Sequence, residues 1–199
     1  MHFSEKHRCY WFTPRRTATR STTELLKTLE FEIKDHEFCF DRQNKDYFFI
    51  CNVKNPYSRL VSIFYLHCHH IKNFSLDFKN WVLNFTPNSQ FSETYQLFYH
   101  RNFPKIGKSF DRFVRQENIV DELKSISFVD LKNEKIKNVF ENQIVRNNYI
   151  KEFENEIKDK RKNWKEFYNE EIADFVYEKF SEQFQLFNYT KNSWMDGTP

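Results

Sequence analysis

The segment that most constrains the fold is Cys9–Leu26. Its short apolar run, Cys9–Phe12, stops at Thr13-Pro14. Three arginines and five hydroxyl side chains follow within residues 15–23, and a helical pattern of leucines comes next. This order predicts a buried strand, a tight polar turn and the N-terminus of a helix.

A turn of this kind is suited to an anion. The helix dipole gives the N-terminus partial positive charge, and Arg15, Arg16 and Arg20 add full charges. The turn is not a Walker A loop, because the only two glycines of the chain, Gly107 and Gly197, lie far from it. ATP hydrolysis with magnesium is thereby disfavoured. The plainer alternative is a basic loop whose Ser and Thr side chains cap the helix.

A second junction of this kind follows the apolar run Tyr47–Val53. The run suits a strand that is buried on both faces, as in a parallel sheet. Asn55 is a good N-cap and Pro56 a good first helical residue, so we expect a helix that ends near His70.

Lys54 and Ser62 are the candidate phosphate ligands of this second junction. Lys54 stands at the carboxyl end of the predicted strand, where ligands bind in open α/β sheets. Ser62 follows eight residues later, about two turns into the helix. The alternative is that Asn-Pro simply starts a helix, that Arg59 is a surface charge and that Ser62 is an ordinary helix residue.

Strands and helices alternate along the chain, which predicts an α/β fold with a mainly parallel sheet in a single domain, residues 1–199. The further strand is Phe110–Arg115. The other predicted helices are Thr23–Glu32, Ser75–Phe85, Asn118–Ser125 and Glu170–Phe187, with Glu134–Trp164 mostly helical.

Composition excludes several functional classes. A net charge of +3 is too mild for a protein that coats nucleic acid, so anion binding must come from local clusters. No apolar run approaches the roughly 20 residues that span a bilayer, and the first residues carry no signal-peptide core. The four cysteines are far apart and form no CxxC pair, which predicts buried free thiols. We therefore expect a cytoplasmic protein, or a viral or phage protein that acts in a host cytosol.

The residues of both junctions resemble the paired motifs of PAPS-dependent sulfotransferases, particularly the carbohydrate sulfotransferase branch. The turn contains RTATRS, and the second junction contains VKNPYSRLVSIFY. Two later stretches, FVRQENIVDELKSI and NEEIADFVYEKFSEQFQLFNY, resemble a strand with its helix and the closing helix of that family. The resemblance implies a P-loop-like three-layer fold. It also implies transfer of the sulfuryl group of PAPS (3′-phosphoadenosine 5′-phosphosulfate) to a hydroxyl, with PAP as product and a carbohydrate as acceptor.

The resemblance also implies roles by position. Lys54 and Ser62 would hold the 3′-phosphate, and Arg16 would stabilise the leaving phosphate. Arg16 stands where the family usually has Lys, Lys54 where it usually has Arg, and Arg20 where a small hydroxyl residue is common. The 5′-phosphosulfate would lie against the turn residues Arg15, Arg16, Thr17, Ala18, Thr19, Arg20, Ser21 and Thr22.

The resemblance places the catalytic base between the two motifs. His36 is the only histidine there, and histidine titrates near neutral pH. Glu32 and Glu37 are alternative bases. The simplest alternative is that His36 is an exposed surface histidine in a charged loop and has no catalytic role.

The remaining candidates concern the acceptor, metals and rival functions. The connector Thr86–Pro104 could contact a sugar through Tyr95, Tyr99 and Arg101. No metal is expected, because arginines can neutralise the charge and the adjacent residues 67–70 cannot all face one ion from a helix. The basic cluster at residues 158–165 is a solvated helix face, a lid over the cofactor or a groove for an anionic acceptor. Rival functions are a P-loop-like nucleotide kinase and a non-enzymatic binder of polyanions or nucleic acid.

Overall fold

The core of the protein is a five-stranded sheet. A computed structural model describes residues 1–14, 17–33, 46–73, 75–84, 109–141 and 163–196. Within these ranges the strand order is β3-β1-β2-β4-β5. The strands are β1 (His2–Ser4), β2 (Cys9–Phe12), β3 (Glu32–Ile33), β4 (Phe48–Val53) and β5 (Arg112–Arg115).

The sheet is mainly parallel, as predicted. Strand β4 pairs in parallel with β2 on one side and with β5 on the other. Strand β1 is antiparallel to both β2 and β3, so β3 runs in the same direction as β2. Four of the five strands therefore share one direction, and the mixed α/β class is confirmed.

Helices cover both faces of the sheet. They are α1 (Thr19–Thr28), α2 (Pro56–His70), α3 (Phe78–Leu83), α4 (Ile119–Lys124), α5 (Glu134–Glu141), α6 (Glu170–Phe187) and α7 (Ser193–Asp196), with short 3₁₀ turns at Gln116–Asn118 and Trp164–Phe167. One core packs Trp11 and Ile50 of the sheet against α1, α4 and α5. The other packs Phe12 and Cys51 against α2, α3 and α6. Since successive strand residues point to opposite faces, these cores lie on the two sides of the sheet.

The strongest sequence patterns predict the elements well. The predicted strand Cys9–Phe12 and the predicted helix Glu170–Phe187 have the observed bounds, and α2 begins at Pro56. Strand β4 is buried on both faces, because Ile50 and Cys51 are each 0% exposed. The thiols of Cys9, Cys51 and Cys68 are free and buried, as expected, and Cys39 lies outside the described residues. Among the described helices, none is both long enough and apolar enough to cross a membrane.

The weaker patterns required correction. Helix α1 begins at Thr19, four residues before the predicted start, and ends at Thr28. It ends there because Glu30 adopts a left-handed conformation with a φ of 61°. The amides of Glu30 and Phe31 then donate back to the carbonyls of Lys27 and Leu26, which is a Schellman motif.

Other predicted elements are shorter than expected. Helix α3 covers the centre of the predicted Ser75–Phe85 helix, because Asp77 caps it by accepting from the Asn80 amide. Strand β5 begins at Arg112 rather than Phe110. In the predicted helical stretch Glu134–Trp164, α5 covers the first eight residues, and residues 142–162 lie outside the described ranges. Strand β1 was not predicted.

Candidate functional site

Both predicted junctions lie at the same edge of the sheet. Strands β2 and β4 are parallel neighbours, with Phe12 opposite Cys51. The chain leaves β2 into the turn before α1, and it leaves β4 into Lys54 before α2. The structure therefore brings the described part of the first turn close to the second junction. This edge is where ligands bind in open parallel sheets.

The first turn leaves the N-terminus of α1 without a side-chain cap. The N-cap residue is Ala18, in the left-handed region at φ 57° and ψ 31°. The hydroxyls of Thr17 and Thr19 instead donate to the carbonyl of Pro14, at 2.6 and 2.5 Å. These threonines therefore shape the turn, and the alternative in which a Ser or Thr caps the helix is wrong. The first amides of an α-helix have no acceptor within the helix, and they favour an anion.

At the second junction, Lys54 and Ser62 are in direct contact. The ammonium of Lys54 donates to Ser62 Oγ at 3.1 Å, across the eight-residue separation. Ser62 Oγ in turn donates to the carbonyl of Ser58, one helical turn earlier, at 3.1 Å. Both side chains are half-buried. An ammonium and a hydroxyl are thus held together at one point, as a phosphate-binding pair requires.

Arg59 of this junction is buried, with only 3% of its surface exposed. The alternative in which it is a surface charge is therefore wrong. Its positive charge lowers the pKa of the Cys51 thiol, although burial is the larger effect and raises that pKa well above the ordinary value. Cys51 is consequently a neutral core thiol rather than a nucleophile.

Two polar residues that the sequence did not single out support the junctions. The first is Asn52, which is 1% exposed. Its Oδ1 accepts from Trp11 Nε1 at 2.8 Å, and its Nδ2 donates to the Thr17 carbonyl at 3.0 Å and to Thr22 Oγ1 at 2.6 Å. Asn52 therefore connects β4 to β2, to the first turn and to α1. A lone Asn in an apolar run carries no sequence signal for such a role.

The second is Glu117, just beyond β5. Its Oε1 accepts from the backbone amide of Asn55 at 2.8 Å, and its Oε2 accepts from the Tyr189 hydroxyl at 2.6 Å. The Asn55 side chain caps α2 by accepting from the Tyr57 amide at 3.0 Å and donates to the Ser193 carbonyl at 3.1 Å. The second junction is thus held by residues that are 62 to 138 positions away in the chain.

The structure also locates the remaining candidates. Arg20 is exposed at the start of α1, and Ser21 is half-buried. Glu32 is exposed on β3, an edge strand separated from β2 by β1. The other predicted site residues lie outside the described residues: Arg15, Arg16, His36, Glu37, Tyr95, Tyr99, Arg101 and positions 158–162 of the basic cluster.

The described residues contain no group of three or more His, Cys, Asp or Glu that could hold a metal ion. In α2, Cys68 is buried, and burial raises the pKa of its thiol to about 11. The neighbouring His67 contacts the ring of Trp81, with 6.0 Å between ring centroids.

Comparison of the chain with protein-family models, curated proteins and solved structures finds no match. The chemistry of the site must therefore be argued from its own residues.

Proposed function

We propose that this protein is a sulfotransferase that moves the sulfuryl group of PAPS to a hydroxyl of an acceptor, with carbohydrate as the acceptor class. One observation supports the proposal: two strand-to-helix junctions with groups suited to an anion lie side by side at one edge of the sheet. The uncapped N-terminus of α1 is one of them, and the contact between Lys54 and Ser62 is the other. A donor with two separated phosphate groups uses both, whereas a single phosphate uses only one.

The first turn would bind the phosphosulfate end. Its strand, turn and helix follow one another without a glycine, and the strand has a parallel neighbour. In this proposal they form the phosphate-binding unit of a P-loop-like fold. The left-handed Ala18 turns the chain into α1, so that the first amides of the helix face the ligand. In this proposal the side chains of Arg15, Arg16 and Arg20 supply the additional charge.

The second junction would bind the 3′-phosphate. Lys54 supplies the charge, and Ser62 supplies a hydroxyl. On binding, the Ser62 proton would turn from the Ser58 carbonyl to a phosphate oxygen. A lysine ammonium is a point charge and lacks the two parallel donors of an arginine guanidinium. The second junction would therefore select a ligand by its charge more than by its geometry.

The transfer itself is an in-line displacement. The acceptor oxygen forms a bond to sulfur while the bond from sulfur to the phosphate oxygen of PAP breaks. The phosphate gains negative charge, which Arg16 and the helix N-terminus stabilise, so catalysis is mainly positioning and electrostatics. His36 takes the acceptor's proton. Tyr95, Tyr99 and Arg101 contact the acceptor in this proposal.

Calorimetry tests the donor directly. PAP should bind without magnesium and more tightly than ATP with magnesium. A preference for ATP with magnesium would indicate a nucleotide kinase instead, and binding of an oligonucleotide alone would indicate a polyanion binder. Either result overturns the proposal.

Variants test the residues. Lys54→Ala and Ser62→Ala should each raise the Kd for PAP by about tenfold or more, because each removes a partner of a charged group. Lys27→Ala is the matched control: this exposed lysine at the far end of α1 pairs with Glu24, and its loss should change the Kd by less than about twofold. His36→Ala should keep PAP binding and abolish turnover with labelled PAPS. Unchanged turnover would remove His36 from the mechanism.

A further inference from the structure

The side chain of Asn52 links β4 to the turn before α1 and to the first turn of α1 by two hydrogen bonds. Asn52 lies in β4, two residues before Lys54, so its backbone leads into the second junction while its side chain reaches the first. All of its partners are buried, with Trp11, Thr17 and Thr22 each 0% exposed.

The orientation of the amide is fixed by chemistry. The indole nitrogen of Trp11 can only donate a hydrogen bond, so the Asn52 atom that faces it at 2.8 Å must be the oxygen. The carbonyl of Thr17 can only accept, so the atom that faces it at 3.0 Å must be the nitrogen. A rotated amide would place two donors against each other and two acceptors against each other. An apolar side chain would take a hydrogen-bond partner from three buried groups: the Trp11 indole, the Thr17 carbonyl and the Thr22 hydroxyl.

We propose that Asn52 is a positioning residue that fixes the anion-binding turn to strand β4, and so sets the distance between the two phosphate-binding junctions. The residue touches no ligand. It acts through the Thr17 carbonyl, at the centre of the turn, and through the Thr22 hydroxyl, in the first turn of α1. The identity of the anion rests on the proposed function, whereas the hold on the turn does not.

This role predicts a selective effect on binding. Adenosine 5′-monophosphate reports the turn, and adenosine 3′-monophosphate reports the end formed by Lys54 and Ser62. Asn52→Ala should raise the Kd for the 5′-nucleotide by about tenfold, because the turn loses both of its bonds to β4. It should change the Kd for the 3′-nucleotide by less than about twofold. Thr22→Val removes one of the two bonds, so it should raise the Kd for the 5′-nucleotide by a smaller factor and again leave the Kd for the 3′-nucleotide nearly unchanged. It replaces Asn52→Ala as the test if that variant does not fold.

Trp11→Phe is the matched control. It removes the third hydrogen bond of Asn52 and keeps both bonds to the turn, so it should lower stability without changing the ratio of the two Kd values. Equal shifts for both nucleotides in Asn52→Ala, or no shift, would overturn the inference and reduce Asn52 to a packing residue.

Hydrogen exchange separates the inference from the proposed function. In Asn52→Ala the backbone amides of residues 17–22 should exchange faster, while those of α2 should keep their wild-type rates. If the wild-type protein binds neither nucleotide, the proposed function fails, and exchange alone decides the inference. Faster exchange confined to the turn then supports the role of Asn52, and unchanged exchange there overturns it.

Discussion

At the scale of single residues, Ala18 carries the most unusual backbone of the candidate site. A positive φ brings the side-chain β-carbon close to the following carbonyl, which costs about 1–2 kcal/mol for an L-residue. The chain accepts this conformation because Thr17 and Thr19 both bond to the Pro14 carbonyl and fix the turn on either side of Ala18. Alanine has the smallest side chain that carries a β-carbon, so it is tolerated where a larger residue is not.

Substitution at Ala18 tests this account. Ala18→Gly should leave the free energy of unfolding within about 1 kcal/mol of wild type, because relief of the left-handed strain offsets the greater entropy of the unfolded chain. Ala18→Val should lower it by more than about 1 kcal/mol, because a β-branched residue is a genuine outlier at positive φ. Urea unfolding measures both variants. Equal stability of the two variants would show that the turn is not held in the left-handed conformation.

At this scale, local sequence patterns predict some features of the site and miss others. Asn55 and Pro56 mark the start of α2 because capping is a local signal. Lys54 and Ser62 are in contact because Lys54 directly precedes α2 and Ser62 lies within its first two turns. The hydroxyl residues in the first turn of α1 are misleading, since such side chains normally compete with a helix. Here the Thr22 hydroxyl accepts from Asn52, a partner 30 residues away that no local pattern includes.

At the scale of elements, the C-terminal end of α6 supports the second junction. Asn188 takes a left-handed conformation, and the amides of Asn188 and Tyr189 donate to the carbonyls of Gln185 and Phe184. This Schellman motif turns the chain back, so that the Tyr189 hydroxyl reaches Glu117. Burial, and then the negative charge of Glu117, raise the pKa of Tyr189, which therefore stays a neutral donor. The sequence predicts the helix but not this contact, because its two partners are 72 residues apart.

The contact between Tyr189 and Glu117 should contribute measurably to stability. Tyr189→Phe should lower the free energy of unfolding by about 1–3 kcal/mol, because it removes the hydrogen bond that a buried hydroxyl donates to a charged group. Tyr47→Phe is the matched control: the Tyr47 hydroxyl donates to Glu5 at 2.5 Å at an exposed site, and its loss should cost less than about 0.5 kcal/mol. Chemical denaturation of both variants gives the comparison. Equal effects at the two sites would mean that the part-buried contact of Tyr189 is no stronger than the exposed contact of Tyr47.

At the scale of the whole molecule, a histidine joins three segments on one face of the sheet. The ring of His7, between β1 and β2, stacks on Phe31, which follows α1, at 5.7 Å between centroids. It also stacks on Phe128, which follows α4, at 4.5 Å. The edge of Trp11 meets the same two rings, so the imidazole completes the edge of an aromatic core. The early antiparallel strand β1 makes this assembly possible, and its short polar sequence gives no signal of a strand.

This arrangement makes stability depend on pH. Burial, with the nearby charge of Lys6, lowers the pKa of His7 below its ordinary value of 6.5, although Glu30 and the Leu29 carbonyl oppose the shift. The folded state therefore favours the neutral ring, and the unfolded state binds more protons. The stability that His7 contributes is fully present above pH 6.5 and is lost as the pH falls from 6.5 through the lower pKa of His7 in the folded protein.

The variant His7→Phe tests this pH dependence. It keeps the aromatic contacts and removes the charge, so its free energy of unfolding should fall less than that of wild type between pH 7.5 and pH 5. The difference between the two proteins at pH 8, where the wild-type ring is neutral, measures packing together with the loss of the hydrogen bond to the Leu29 carbonyl. Parallel pH profiles for wild type and His7→Phe would show that the ring is solvated rather than enclosed.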